Sequence, residues 1–206
     1  MTELGRDYID VGCGEGRWLQ EHGGPKVIGI DVNLKYLKIA REKAKNGTNF
    51  VLCDGHHLPF KDSFFDTAIC IEVLEHLVDP VHALAEINRV LKPGGLLGVS
   101  TPNIAFFALR LALLLGHFTD LYDYDLPPQH LRFYTFNSLK WLLNQAGFEI
   151  VKKGKCSLWL GGHKELQPVR FLSSILAKLR PQLFARSVVF IAQKRSGRSP
   201  VYKGEG

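Results

Sequence analysis

The chain has few cysteines, one methionine and no apolar run long enough to span a membrane. The four cysteines among its 206 residues are Cys13, Cys53, Cys70 and Cys156. They form no C-x-x-C pair and no metal-ligand spacing with histidine, which favours reduced thiols in a cytoplasmic protein. The most apolar window, 104–115, is interrupted by Arg110 and is shorter than the roughly 20 residues that a bilayer requires. The polar start, MTELGRD, predicts no signal peptide.

Charge is moderate and unevenly placed. Apolar residues make up 46% and charged residues 22% of the chain, the balance of one globular domain with a sizeable core. The net charge is +6, and the basic residues that gather near the end are Lys152, Lys153, Lys155, Lys194, Arg195, Arg198 and Lys203. A nucleic-acid surface and a solvated edge with a tail are both consistent with this cluster. We favour the second interpretation, because no stacking series of aromatic residues is interleaved with the charges.

Strand and helix patterns alternate along the chain, which predicts a parallel sheet with helices on both faces. The predicted strands are Tyr8–Val11, Val27–Ile30, Phe50–Cys53, Thr67–Ile71, Leu96–Ser100, Phe148–Lys152 and Ser187–Gln193. The predicted helices include Leu34–Lys45, Val81–Leu91, Phe136–Ala146 and about Val169–Leu179. Asn33 is a plausible N-cap, and Gly47 and Gly147 are plausible stops.

The run DYIDVGCGEGRWL, Asp7 to Leu19, carries the first chemical signal. It predicts a short strand, a glycine turn and a helix, with Asp10 just before the turn. Gly12, Gly14 and Gly16 remove side chains, so a ligand could lie directly against backbone N–H groups. The spacing is G-x-G-x-G, unlike the G-x-G-x-x-G of a dinucleotide site. The next strand, KVIGID, ends on Asp31, where a ribose diol is bound in related crevices.

Further motifs follow in order between residues 50 and 103. They are D-G-H-H-LPF from Asp54, FD-x-x-x-x-x-EVLEH ending at Glu75 and His76, and LKPGG before the fifth strand. Together with the glycine turn they resemble the class I S-adenosylmethionine-dependent methyltransferases, of the ubiquinone- and menaquinone-biosynthesis type. The resemblance covers roughly Asp7 to Val151. It implies a Rossmann-like, doubly wound α/β fold with a seven-stranded, mostly parallel sheet, in the order 3-2-1-4-5-7-6 with strand 7 antiparallel.

The same resemblance implies one methyltransferase domain, 1–195, with a lid-like insertion at about 104–129 and a disordered tail at 196–206. It also implies a set of residues that bind S-adenosylmethionine and release S-adenosylhomocysteine. These are Asp10, Gly12, Cys13, Gly14, Gly16, Asp31, Val32, Asp54, Gly55, Ile71 and Glu72.

Individual roles follow from the family pattern. Asp10 would help to hold the methionine amino group, and Asp31 would accept hydrogen bonds from both ribose hydroxyls, unless it serves only as a charge at a helix N-terminus. Val32 would pack on one adenine face, and Asp54 with the Gly55 amide would meet the adenine edge. The backbone of Ile71 would face the donor amino group, and Glu72 could point to cofactor or to solvent.

Acceptor recognition is expected outside the core sheet. His76 and His130 are the candidate catalytic residues. His76 could act as a base, or could instead satisfy local backbone groups. In HLRFYTF, residues 130–136, His130, Arg132 and Tyr134 either line the acceptor pocket or form a rigid loop under the sheet. Arg132 could pair with an acceptor carboxylate or phosphate, and Tyr124 is a further pocket candidate. Methyl transfer from a sulfonium requires no metal, so no metal site is expected.

Relatives have a helical segment before the first strand that covers the site, whereas here only residues 1–6 precede it. We therefore expect one of three arrangements: the insertion covers the site, a partner chain such as a second copy in a homodimer covers it, or part of the acceptor pocket has been lost. The predicted function is methyl transfer to a small-molecule, lipid-like or glycan acceptor, with oxygen as the target atom. The alternatives are an inactive cofactor-binding scaffold and a nucleic-acid methyltransferase. The second lacks the [ND]-P-P-[YFW] run expected after the fourth strand, where this chain has Ile71-Glu72-Val73-Leu74. A nicotinamide oxidoreductase leaves the later motifs unexplained.

Overall fold

The computed structural model describes residues 7–117, 130–154 and 180–195. The strands are β1 (Tyr8–Val11), β2 (Val27–Asp31), β3 (Asn49–Leu52), β4 (Phe65–Ile71), β5 (Leu91–Pro102), β6 (Phe148–Lys153) and β7 (Ser187–Lys194). The helices are α1 (Arg17–His22), α2 (Leu34–Lys43), α3 (Pro80–Val90), α4 (Phe107–Leu114), α5 (Phe136–Gln145) and α6 (Pro181–Phe184). A 3₁₀ turn, Leu74–His76, follows β4.

The seven strands form one sheet in the order β3-β2-β1-β4-β5-β7-β6. Strands β1 to β5 pair in parallel, and β7 is antiparallel to both β5 and β6. The predicted fold class and strand order are therefore confirmed. The strand order reverses between β1 and β4, and the crevice beyond the carboxyl ends of those two strands is where such sheets bind ligands.

Most element bounds differ from the prediction by one or two residues, but β5 starts five residues earlier than expected. Leu91 pairs with Phe65 before the Pro93-Gly94-Gly95 segment shifts the register, and Leu96 then pairs with Thr67. The LKPGG motif, which the sequence placed before the fifth strand, is thus an irregularity within that strand. The helix predicted at 169–179, the tail 196–206, and residues 118–129 of the predicted insertion lie outside the described residues.

Local side-chain caps position the helices that flank the site. Asn33 caps α2, as predicted, by accepting a hydrogen bond from the Lys35 amide at 2.9 Å. Asp79 caps α3 by accepting from the amides of Val81 and His82 at 3.1 and 3.0 Å. These caps satisfy amides that the helix itself leaves unpaired.

The core lies on both faces of the sheet, because successive strand residues point in opposite directions. Tyr8 packs with Leu19 and Leu37 under α1 and α2, whereas the adjacent Ile9 packs in the larger cluster with Leu84 of α3 and Leu139 of α5. Within the residues that the structure describes, no helix combines the length and apolarity needed to cross a membrane.

Asn103, directly after β5, connects three segments near the site. Its side chain is fully buried; Nδ2 donates to the carbonyl oxygens of Ala185 (2.8 Å) and Gln182 (3.1 Å), and Oδ1 accepts from the Ala105 amide (3.1 Å). Its main chain also forms a bridge with Tyr134. Asn103 thereby fixes the strand end, α6 and the 130–134 segment to one another.

We expect Asn103→Ala to lower the free energy of unfolding by about 2–3 kcal/mol. The substitution removes these hydrogen bonds and leaves buried carbonyl groups without a donor. Urea denaturation measures the change. The matched control is Asn49→Ala, at an exposed asparagine, for which we expect a change within about 0.5 kcal/mol. Equal effects of the two substitutions would contradict the role given to Asn103.

Candidate active site

The glycine turn between β1 and α1 has left-handed backbone conformations that side chains disfavour. The φ angles of Gly12, Gly14 and Gly16 are 72°, 53° and 74°. A Cβ on Gly12 would lie 2.5 Å from a methyl carbon of Val73, whereas a Cβ on Gly14 would meet nothing within 4 Å. Gly12 therefore allows the turn to pack against the segment after β4, and Gly14 leaves an open surface.

The amides of this turn are bound by the protein itself. Gly12 and Cys13 both donate to the Ile30 carbonyl, at 2.9 and 2.8 Å, and Gly16 donates to the Cys13 carbonyl at 2.9 Å. The Gly14 amide donates to Asp31 Oδ2 at 2.9 Å. These four N–H groups are thus bonded to β2 or within the turn. The contact of the turn with a ligand stays a prediction, and the surface at Gly14 is free of side chains for it.

Asp31 links the glycine turn to the start of α2. Besides the bond from Gly14, its Oδ1 accepts from the Asn33 amide at 2.8 Å. The residue is partly exposed. A carboxylate can accept about four hydrogen bonds, so two acceptor positions remain for a diol, as the ribose prediction requires.

Asp10 lies beneath the turn and is only 3% exposed. Its Oδ2 is buried without a hydrogen-bond partner in the described structure. Burial, followed by repulsion from Asp31, raises the pKa of Asp10 to about 7. A ligand with a positive group near this oxygen would relieve both effects.

Cys13 directs its side chain into the core rather than into the crevice. It is 8% exposed and packs with Leu19 and Leu37. Burial, and secondly the negative charge of Asp10, raises the pKa of its thiol. Cys13 was predicted to bind the cofactor. Because its side chain points into the core, it could do so only through main-chain atoms that are not already hydrogen-bonded.

The adenine side of the predicted site lies at the ends of β2 and β3. Val32 is 75% exposed, so its side chain is accessible to a planar ligand. Asp54 Oδ1 accepts from the His56 amide at 2.9 Å and contacts His56 Nδ1 at 2.6 Å. The hydrogen bond from the His56 amide is the main reason that the pKa of Asp54 is lowered. This pairing, absent from the sequence prediction, leaves Oδ2 of Asp54 for a ligand, with Gly55 next to it.

The end of β4 presents Ile71 and Glu72. Ile71 is 40% exposed. Glu72 has a φ of 53°, and its Oε1 accepts from Ser100 Oγ at 2.7 Å. Burial raises the pKa of Glu72. Its side chain is therefore turned toward β5, an orientation that the sequence left open.

The 3₁₀ turn and the 130–132 segment are joined through Glu75. The Glu75 carbonyl accepts from the amides of Leu131 (2.8 Å) and Arg132 (3.1 Å). This brings the ring centroids of His76 and His130 within 4.9 Å. Ligand-type atoms of Glu75, His76 and His130 all lie within 4.8 Å of one another. The two predicted catalytic histidines are thus adjacent.

Glu75 was not among the predicted site residues, although the E-x-x-E-H run from Glu72 to His76 was a usable signal. It is 1% exposed, and burial together with repulsion from Glu72 raises its pKa to about 8. Burial and the neighbouring His76 lower the pKa of His130. Both shifts disfavour the charged form, that is, the imidazolium of His130 and the carboxylate of Glu75.

Arg132 and Tyr134 support the loop in this structure. Arg132 donates from Nε and Nη2 to the carbonyl oxygens of Leu77 (3.3 Å) and Val78, which fixes its guanidinium against the segment after the 3₁₀ turn. Tyr134 is 6% exposed, and its hydroxyl donates to the Leu74 carbonyl at 3.5 Å. Burial raises the Tyr134 pKa to about 12. Of the two interpretations left open, the contacts favour the rigid loop. Tyr124 lies outside the described residues.

Known proteins are similar to this chain in both sequence and architecture. A family model described as a methyltransferase domain matches residues 9–99. Demethylmenaquinone methyltransferase from Staphylococcus carnosus is 36% identical over 172 residues, which cover 74% of this chain and 71% of that protein. Methyltransferase GfsG from Streptomyces halstedii is 36% identical over 107 residues, and these cover 48% of this chain but only 38% of the relative.

Solved structures agree on the fold. A methyltransferase from Thermotoga maritima, described as a possible histamine N-methyltransferase, superposes with a TM-score of 0.68 at 22% identity. The superposition covers 95% of this chain and 84% of that one. The chain therefore belongs to the class I S-adenosylmethionine-dependent methyltransferases. Within that class, its relatives include the demethylmenaquinone methyltransferases.

The burial of Asp10 has a consequence for stability. Because its folded pKa of about 7 lies above its unfolded value of 3.8, the folded protein binds more protons between about pH 4 and 7. The contribution of Asp10 to stability is therefore greatest in acid and falls as the pH rises through that range. In Asp10→Asn this loss is absent. We expect the stability of the variant relative to the natural chain to increase by about 1–3 kcal/mol between pH 5 and pH 8.

Chemical denaturation at the two pH values measures this difference in the absence of ligand. Glu21→Gln is the control, because the Glu21 side chain is 84% exposed. A relative stability of Asp10→Asn that does not change with pH would show that Asp10 is not held in a desolvated site.

Proposed function

We propose that this protein transfers a methyl group from S-adenosylmethionine to an oxygen atom of a small-molecule, lipid-like or glycan acceptor. The observation that carries the proposal is the pair of acids at the β1–β2 crevice. Asp10 is buried with an unpartnered oxygen, and Asp31 has spare acceptor positions beside the open surface of Gly14. One acid suits an ammonium or sulfonium group, and the other suits a ribose diol.

The remaining donor contacts follow from the same geometry. Exposed Val32 would pack against the adenine, and Oδ2 of Asp54 with the Gly55 amide would bind its edge. Ile71 and Glu72 would close the methionine side by their main chain. When bound, the donor supplies an electrophilic methyl group on a positively charged sulfur, and the protein has to hold an acceptor in line with it and exclude water.

On the acceptor side, His76 and His130 are the candidate catalytic groups. They lie together just beyond β4, on the same edge of the sheet as the donor residues. His76 would take the proton of an acceptor hydroxyl as the oxygen bonds to the methyl carbon. Relatives described as O-methyltransferases, including cnsE from Penicillium expansum at 30% identity, support oxygen as the target atom.

A lipid-like acceptor receives separate support from α4. This helix follows the end of β5, has no buried residue, and exposes Leu111 (53%) and Leu114 (83%). An apolar surface of this kind suits an apolar acceptor tail or a covering chain. A homodimer or partner chain over the site remains part of the proposal, and so does a cytoplasmic location, which the free thiols of Cys13, Cys53 and Cys70 support.

Donor binding tests the Asp31 assignment. We expect Asp31→Ala to weaken S-adenosylmethionine binding by about 2–3 kcal/mol, roughly 30- to 150-fold, through the loss of charge-assisted hydrogen bonds. Isothermal titration calorimetry measures the change. Glu21→Ala is the matched control on an exposed acid. Unchanged donor affinity of a folded Asp31→Ala protein would remove the ribose assignment.

Catalysis tests the acceptor side. We expect His76→Ala to slow methyl transfer by about 100-fold or more without much effect on donor affinity, because His76 serves the acceptor. A labelled-methyl assay with quinone precursors, sugars, fatty acids and small amines identifies an acceptor and measures the rate. Full-rate transfer by His76→Ala would refute the catalytic role of His76. If the natural chain binds the donor but transfers methyl to none of these acceptor classes, the scaffold alternative is favoured.

A further inference from the structure

Glu75, His76 and His130 form a cluster of ligand-type atoms that methyl transfer alone does not explain. The carboxylate oxygen and the two imidazole nitrogens lie within 4.8 Å of one another. Two of the groups follow β4 directly, whereas the third lies on the segment before α5. The hydrogen bonds from the Leu131 and Arg132 amides to the Glu75 carbonyl hold the two segments together.

The carboxylate of Glu75 is the unusual member. It is 99% buried, and neither Oε1 nor Oε2 has a hydrogen-bond partner among the described residues. The charged neighbour that acts on it is Glu72, which repels it. Arg132, the cationic residue closest in this loop, donates instead to the Leu77 and Val78 carbonyls. A buried carboxylate without partners is costly unless it is paired or coordinates a metal.

The donor set matches a class of cation. One carboxylate oxygen with two imidazole nitrogens is typical of zinc and other first-row divalent ions, whereas magnesium and calcium prefer sites built from oxygen alone. Three protein ligands also leave coordination positions open, as catalytic sites require. Glu72, which is held by Ser100, adds negative charge beside the cluster. We propose that Glu75, His76 and His130 bind one divalent transition-metal cation, such as Zn²⁺ or Mn²⁺.

The consequence for the reaction rests on the proposed function. A cation at this position would bind the acceptor hydroxyl and lower its pKa, so that the proton passes to solvent water. The oxygen lone pair then forms the bond to the methyl carbon. The pair of the breaking carbon–sulfur bond stays on sulfur, which becomes a neutral thioether. His76 and His130 would act as ligands rather than as bases, and the expectation of a metal-free site would be replaced.

Metal binding is measured without donor or acceptor. The protein is treated with a chelator, dialysed, and titrated with ZnCl₂, MnCl₂ and, for comparison, MgCl₂ by calorimetry, with stoichiometry from elemental analysis. We expect one equivalent of Zn²⁺ or Mn²⁺, weaker binding of Mg²⁺, and a rise in melting temperature. Co²⁺ should give the visible absorption of an imidazole-containing site. Glu75→Gln and His130→Asn should each weaken Zn²⁺ binding at least tenfold.

Two control variants separate this site from other histidines. His22→Asn alters a histidine that stacks on Trp18, away from the cluster. His82→Asn alters a second histidine group, in which the His57 and His82 rings lie 5.3 Å apart. Neither substitution should change the affinity or stoichiometry of the one tightly bound Zn²⁺ or Mn²⁺ ion. The proposal would be overturned if His82→Asn lost Zn²⁺ binding while the cluster variants kept it. It would also be overturned if Glu75→Gln and His130→Asn bound Zn²⁺ as tightly as the natural chain.

Failure of the metal site and failure of the proposed function give different results. Stoichiometric binding that depends on Glu75 and His130, without methyl transfer to any acceptor, supports the site and contradicts the function. Methyl transfer at full rate in the chelated protein, with no tight metal equivalent, supports the function and overturns the site. His130→Asn provides a variant on the loop in case Glu75→Gln fails to fold.

Discussion

The burial of two carboxyl groups at the carboxyl edge of the sheet is the constraint on which the rest of this molecule depends. Asp10 lies beneath the glycine turn and Glu75 behind β4, and each has carboxylate oxygen without a partner in the described structure. Desolvating such groups costs several kcal/mol in the absence of a countercharge. Each of the two positions would therefore be stabilised by a positively charged ligand. In our proposals the sulfonium donor would supply that charge near Asp10, and a divalent cation would supply it at Glu75.

The surrounding main chain keeps these acids in place. Asp31 bonds the Gly14 and Asn33 amides, Ser100 bonds Glu72, and the Glu75 carbonyl accepts two amides from the 130–132 segment. Apart from the local bond between Asp31 and Asn33, these contacts join residues that are distant in sequence but adjacent at the crevice. The carboxylate of Asp31 is thus held by backbone amides and that of Glu72 by the Ser100 hydroxyl, which reduces the reorganisation that a reaction would require.

The sequence predicts those features that depend on local pattern. Apolar runs locate the strands, the glycine spacing locates the first turn, and acids at strand ends mark the crevice, because parallel strands end at one edge. Two other features depend on hydrogen bonds between strands, which no local pattern encodes. One is the bonding of the glycine-turn amides within the protein, and the other is the orientation of the Glu72 side chain toward β5. The pairing of Glu75 with His130 depends on a contact between residues 55 positions apart, and the inward contacts of Arg132 and Tyr134 depend on the same loop.

The chain leaves the sheet and returns to it at a fixed point. The Ile104 amide donates to the Tyr134 carbonyl at 2.9 Å, and Asn103 bridges to Tyr134. Everything between those positions is therefore a cassette whose two ends are already joined. The stretch 105–129 excludes His130 and the amides that bond Glu75, so we expect its length and composition to be exchangeable without altering the donor crevice. Segments grafted there would offer a direct route to new acceptor ranges.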